Sequence, residues 1–195
     1  MSAGPQISPF EYVSILISII LGLGIAQLLS ALADLLYDIK RVKFYWPHTL
    51  WVIFVLFLHI QDWFITYELR AYAEFKLPTL LFILLYPVTL FMCAKVLLPT
   101  SRSEESFIMK KYYFSQFRLI FLLIACSILL SIGFNAIFLN LPWVNQSVLV
   151  VFFTIVVFMA LKNVQTEWMH KGIILVVCIA MFMAVIIQFD SWVIR

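Results

Sequence analysis

Six long apolar stretches dominate this sequence and constrain what the chain can fold into. Each is near the length that an α-helix needs to cross about 30 Å of hydrocarbon at 1.5 Å per residue. Within lipid, a helix of this kind satisfies its backbone hydrogen bonds internally. The sequence therefore predicts an all-α, polytopic transmembrane bundle of about six helices, with spans near 12–33, 49–67, 78–98, 119–139, 144–161 and 172–189.

The composition agrees with a chain that is covered mostly by lipid. Of its 195 residues, 65% are hydrophobic and only 12% are charged, whereas a soluble domain carries about 25% charged residues. Six spans of about 20 residues leave only short loops. We therefore expect one integral membrane domain over residues 1–195, with the first apolar run retained because it is too long for a signal peptide.

The distribution of Lys and Arg predicts the orientation of the bundle. Cytoplasmic loops carry an excess of basic residues, and most of the basic residues here follow spans one, three and five. We therefore expect these loops in the cytoplasm and both termini on the outer face, in what we take to be a bacterial inner membrane. The basic residues on the predicted cytoplasmic side are Lys40, Arg41, Lys43, Lys95, Arg102, Lys110, Lys111, Arg118, Lys162 and Lys171, against Arg70, Lys76 and Arg195 on the other side.

Several classes of function find no support in the sequence. The net charge is only +3 and the basic residues are dispersed, so nucleic acid is not an expected partner. Cys93, Cys126 and Cys178 each lie in an apolar run, where cysteine is usually a small packing residue. Hydrolase, phosphate-binding and dinucleotide-binding motifs are absent from the sequence. We expect no enzyme activity, no metal and no cofactor, and a lipid-modifying enzyme is unsupported.

Span one carries a small or polar residue at every fourth position. Residues with this spacing form one continuous ridge along a helix, and their small side chains let a second helix approach closely. We expect the ridge to pack against another helix, either within the subunit or between the subunits of a homo-oligomer. Its members are Ser14, Ser18, Gly22, Ala26 and Ser30, followed by Asp34.

Span two places His59, Gln61 and Asp62 at membrane depth. A carboxylate there costs about 2.5–3.5 kcal/mol on insertion scales, and such residues usually face the interior of a bundle or a wet cavity. His59 and Asp62 stand at i and i+3, so the pattern predicts that they share a helix face and hydrogen-bond.

Polar residues of other spans are predicted at similar depths. Ser18 belongs to span one, whereas Ser131 and Asn135 continue a ladder from Ser127 in span four. A polar cluster between helices in the outer half of the membrane would satisfy these groups. The predicted ligand-binding set is His59, Gln61, Asp62, Ser18, Ser131 and Asn135, with Gln188 and Asp190 farther out on span six.

Two interpretations of this cluster remain open at the level of sequence. In the first, the protein is a channel or transporter-like protein that handles protons, cations or a small polar solute, since intramembrane ionisable groups are functional candidates by default. Histidine also changes charge near neutral pH. In the second, the same groups form a buried polar clamp that fixes the register of the helices.

A different class of function rests on the loop over residues 100–118. Ser103 before Glu104 and Glu105 is a plausible helix start, and the mixture of aromatic and basic residues that follows fits a short interfacial helix. In this alternative the chain is a non-transporting accessory or effector subunit, for example in a bacterial defence or signalling system. It would act through protein contacts made by this loop, where a cytoplasmic partner would bind, and by the ridge of span one.

The predicted orientation can be tested by labelling single cysteines in a variant without the three native ones. We expect a membrane-impermeant maleimide to label Glu74→Cys in intact cells and Lys111→Cys only after lysis, because the basic loops face inwards. Labelling in the reverse order would contradict the orientation.

Overall fold

A computed structural model describes residues 8–72, 74–99 and 107–187, and it contains six α-helices. With the 3₁₀ turns that flank two of them, all six are long and apolar enough to cross a membrane. The all-α, six-helix architecture is therefore confirmed. The helices are α1 (Pro9–Tyr37), α2 (Trp46–Ile65), α3 (Leu77–Leu97), α4 (Met109–Ile137), α5 (Ser147–Leu161) and α6 (Glu167–Ile187).

Helix α4 begins ten residues before the predicted span. Met109, Tyr113 and Phe117 recur every fourth residue and all three are buried, so the face that packs in the membrane continues into the segment predicted as a loop. Residues 109–117 are thus the first turns of α4 and not a separate interfacial helix. The predicted helix start at Ser103 lies outside the described residues.

A two-residue pairing joins the segments before α2 and α4. Strand β1 (Val42–Lys43) runs parallel to β2 (Phe107–Ile108), with Val42 opposite Phe107. The Phe107 N–H also donates to the Arg41 carbonyl at 3.0 Å. These bonds hold the connection between α1 and α2 against the start of α4.

Helix α2 lies at the centre of the bundle. It contacts α1, α3, α4 and α6, while α3 also packs against α1 and α4, and α5 packs mainly against α4. Helices α5 and α6 make few contacts with each other. The outward faces carry large exposed apolar side chains, such as Leu23, Leu85, Leu129 and Ile179, which is the surface expected next to lipid.

The two ends of the bundle differ in charge. We call the end where α1 begins the N-terminal end, and the end where α1 finishes the basic end. The basic end carries Lys40, Arg41, Lys43, Lys110, Lys111 and Lys162. It is the end that the sequence predicts to face the cytoplasm.

Helix α1 does not pack within the subunit through its predicted ridge. Gly22, Ala26 and Ser30 are exposed, whereas Ser14 and Ser18 are half-buried. The face that packs is rotated away from the ridge because it follows the larger apolar side chains, and packing of the ridge between subunits stays a prediction. The buried residues of α1 are Val13, Ile17, Leu21, Gly24, Leu28, Ala31 and Leu35.

The contact of Gly24 with His59 joins α1 to α2. The imidazole is fully buried, and its Nδ1–H donates to the Val55 carbonyl one turn earlier at 2.7 Å. A Cβ atom at Gly24 would overlap Nε2 of His59 and approach its Cδ2 to 2.6 Å. The close approach therefore requires a residue without a side chain at this position.

Replacing Gly24 by Ala is expected to destabilise the fold by about 1–3 kcal/mol, because overpacking forces side chains and backbone to shift. Thermal unfolding in detergent measures the loss. Gly22→Ala is the matched control, since nothing lies within 4 Å of a Cβ there. In a His59→Ala background, Gly24→Ala should cost little more. Equal stability of the two glycine variants would contradict the packing.

Candidate functional site

A cavity of about 970 Å³ lies between α2, α3, α4, α5 and α6. Its lining at the N-terminal end includes Glu68, Leu141 and Asn145, which are exposed. Towards the basic end, buried side chains such as Trp51, Phe121 and Ile174 fill the space between the helices. The cavity thus reaches the surface at the N-terminal end and is closed at the basic end.

The central helix contributes the amide of Gln61 and the carboxylate of Asp62 to the wall. Both residues lie in the last turn and a half of α2, just before the chain tightens into the 3₁₀ helix Thr66–Ala71. The Thr66 hydroxyl donates to the Asp62 backbone carbonyl at 2.8 Å. This bond involves the backbone of Asp62 and not its carboxylate.

Helix α4 contributes three polar residues from one of its faces. Ser127, Ser131 and Asn135 follow each other every fourth residue and all line the cavity. The Ser127 hydroxyl donates to the Leu123 carbonyl at 3.0 Å. Ser131 and Asn135 therefore line the same cavity as Gln61 and Asp62.

Helix α3 adds a tyrosine and a proline to the same wall. Tyr86 and Pro87 line the cavity beside Ile83. Pro87 has no N–H, so the Ile83 carbonyl lacks its usual α-helical donor. Helix α3 thus carries a backbone oxygen without a helical donor at a residue of the cavity wall.

Two predicted site residues do not belong to the cavity. His59 faces Gly24, and its Nδ1 bonds Val55 and not Asp62. The physical reason is that α2 has helices on several sides, so residues three apart in sequence meet different neighbours. Ser18 also falls outside the lining, to which α1 contributes Ile17. Gln188 and Asp190 lie outside the described residues.

The charges at the cavity are negative. Asp62 and Glu68 line it, whereas no Lys, Arg or His does so within residues 8–72, 74–99 and 107–187. Arg70 stands on the same 3₁₀ helix as Glu68 but places its guanidinium 3.9 Å from the centre of the Tyr67 ring. The site therefore favours a cation or a hydrogen-bond donor over an anion.

Most of the remaining wall is apolar. Aromatic rings come from α2, α3, α4 and α5, and aliphatic side chains come from α5 and α6. The aromatic members are Phe54, Phe57, Phe64, Phe82, Phe134 and Phe152, and the wall of α6 consists of Ile173, Val176, Val177, Ala180, Met181 and Ala184.

A second polar cluster, near the basic end, was not predicted. His48 and His170 lie just before the predicted spans 49–67 and 172–189, which is a membrane boundary by sequence, yet both are fully buried. The Tyr113 hydroxyl is 2.8 Å from Nδ1 of His170, and Nε2 of His170 is 2.7 Å from the Val164 carbonyl. Because a carbonyl only accepts, Nε2 carries the proton and Nδ1 accepts from Tyr113.

The same cluster caps the ends of two helices. Nε2 of His48 donates to the Leu97 carbonyl at 2.6 Å, and the Tyr112 hydroxyl donates to the Val96 carbonyl at 2.8 Å. These two carbonyls close α3, and the last carbonyls of a helix have no partner within it. In the same way, the Arg118 guanidinium donates to the Ala160 carbonyl of α5 at 3.1 Å.

Tyr45, directly before α2, packs on the ring of Tyr113 at 5.6 Å between centroids. Burial, together with the nearby negative charge of Glu167, raises the pKa of its phenol to about 12. This group therefore stays protonated at neutral pH and takes no part in proton exchange there.

A periodicity signal for the buried histidines exists in the sequence. His48, Val52, Val55 and His59 recur at intervals of three or four, which is one face of a helix. His170 and Ile174 are likewise four residues apart, on one face of a helix. Both histidines also lie near predicted span ends, and loops and helix ends are usually exposed, so the two signals conflict.

Removing the Tyr113 hydroxyl tests the buried cluster. Tyr113→Phe leaves Nδ1 of His170 buried without a donor, so we expect a loss of about 1–3 kcal/mol in the free energy of unfolding. Tyr37→Phe is the matched control, because that side chain is 92% exposed. Thermal unfolding in detergent compares the two, and equal midpoints would contradict the role of this hydrogen bond.

Within the described part of the chain, no group of three or more His, Cys, Asp or Glu residues comes together. The candidate site is therefore the cavity with the carboxylate of Asp62 in its wall. Comparison of the chain with protein-family models, with curated proteins and with solved structures gave no match.

Proposed function

We propose that the protein is a multi-pass membrane transport protein that binds a proton, a cation or a small polar solute in the cavity beside Asp62. The observation that carries the proposal is the carboxylate of Asp62 in a cavity whose described lining contains no basic side chain. Ionisable residues at membrane depth commonly mark the pathways of substrates and ions.

The shape of the cavity supports transport more than static packing. It is accessible at the N-terminal end, where Glu68 and Asn145 are exposed, and it is closed at the basic end. Access from one side at a time is what alternating-access transport requires of a site. A dry polar clamp would fill this space with side chains that hydrogen-bond one another.

The residues of the cavity have complementary roles in this proposal. Asp62 supplies the charge that a cation needs in a medium of low dielectric constant. Gln61, Ser131 and Asn135 supply amide and hydroxyl oxygens, and the Ile83 carbonyl supplies another. Oxygen donors from three helices replace part of the water that a cation loses on entry.

The alternative function, an accessory subunit that docks a partner through residues 100–118, gains little support from the described part of this segment. Lys110 forms an ion pair with Glu167, Tyr112 and Arg118 bond carbonyls of other helices, and Phe117 is buried. Most of its polar groups already have partners within the chain, which argues for an internal structural role.

The proposed function predicts that Asp62→Asn abolishes flux. Purified protein in liposomes should support cation-dependent flux, followed with a pH-sensitive dye and with labelled monovalent cations. The substitution keeps the size of the side chain and removes its charge, so we expect at least a tenfold decrease in rate.

Glu74→Gln provides the matched control, since Glu74 is an exposed carboxylate near the same end that does not line the cavity. It should retain the rate of the parent protein. Equal rates in the Asp62→Asn variant and the parent, with both folded, would exclude transport at this site.

A further inference from the structure

The volume of the cavity exceeds what an inorganic cation needs. A water molecule occupies about 30 Å³ of liquid, whereas the cavity holds about 970 Å³. Sites for organic ligands are typically about 300–1,000 Å³, mostly apolar, with a few convergent polar groups. The size and lining therefore fit an organic molecule.

The charge and the aromatic rings indicate which organic molecule fits. Asp62 lies in the wall of the cavity and forms no ion pair with any other residue that the structure describes. Phe57, Phe82 and Phe134 present rings to the same space, and aromatic faces attract cations that have lost their water. A cation with an apolar body matches both features.

The arrangement of α5 and α6 provides a side entrance. The two helices are joined at the basic end by residues 162–166 and make few contacts with each other. Both line the cavity, with Val151 and Ile155 on α5 and with Val176 and Ala180 on α6. Val151, Ile155 and Val176 are exposed as well as part of the lining, so the apolar space between the two helices opens to the side of the bundle.

We propose that the cavity binds a lipophilic organic cation, which enters laterally between α5 and α6 and places its charge beside Asp62. This inference rests on the proposed function, because it names the substrate class of the same site. The apolar body would lie against the α5 and α6 walls, and Glu68 at the mouth adds a second negative charge at the exposed end.

Binding to protein in lipid nanodiscs tests the substrate class, with empty nanodiscs as the blank. Tetraphenylphosphonium should bind saturably, whereas tetraphenylborate, which has a similar size and the opposite charge, should not. Asp62→Asn should weaken tetraphenylphosphonium binding at least tenfold, and Glu74→Gln should not change it. Glu68→Gln, at an exposed position on which the fold does not depend, should weaken it two- to fivefold.

Narrowing the space between α5 and α6 with a large side chain tests lateral entry. Ala180→Trp places an indole between α5 and α6 and should slow the association of tetraphenylphosphonium at least tenfold, while the association rate of tetramethylammonium stays within twofold of the parent. Ile179→Trp is the matched control, since Ile179 is exposed and does not line the cavity. If Ile179→Trp slows association as much, or if Ala180→Trp leaves the association rate unchanged, lateral entry is wrong.

Equal binding of the two tetraphenyl ions, or an unchanged affinity in Asp62→Asn, would overturn the substrate class and would mean that a lipid chain or another apolar molecule fills the space. If tetraphenylphosphonium does not bind while Asp62 still governs the flux of inorganic cations, the inference fails and the proposed function stands. If neither binding nor flux depends on Asp62, both fail.

Discussion

Hydrogen bonds from buried side chains to helix-terminal carbonyls hold the basic end of the bundle together. His48 and Tyr112 close the end of α3, and Arg118 bonds the end of α5. His170 reaches the segment between α5 and α6 and is itself bonded by Tyr113. Inside a membrane, a carbonyl without a donor costs several kcal/mol, so these contacts fix where α3, α5 and α6 end relative to α2 and α4.

The cavity follows from this arrangement. Helices α5 and α6 are tied together at the basic end, and α5 packs on α4 whereas α6 packs on α2. Each helix follows a different neighbour, the two make few contacts with each other, and both line the cavity. The bonds that close the basic end therefore lie at the opposite end from the residues at which the cavity reaches the surface.

The central helix performs two tasks with residues that are three positions apart. His59 fits against Gly24 and joins α1 to α2, whereas Asp62 faces the cavity. Residues at i and i+3 differ by about 60° around a helix. On a helix with one buried face this difference is small, but on a helix with neighbours on several sides it separates a packing contact from a position in the cavity wall.

The number of helices and the presence of polar groups within the apolar spans follow from the sequence, because length and hydrophobicity are local properties of a span. The face of α4 with Ser131 and Asn135 also follows from the spacing of its residues. Which faces meet depends on the packing of the helices in three dimensions. In the fold, α1 packs on α2 through the face that carries Gly24 and not through the ridge at Gly22. His59 contacts α1 and does not bond Asp62, and His48 and His170 are buried. These outcomes depend on the relative rotation of neighbouring helices, which is set by how side chains of different helices interlock, and no single segment contains that information.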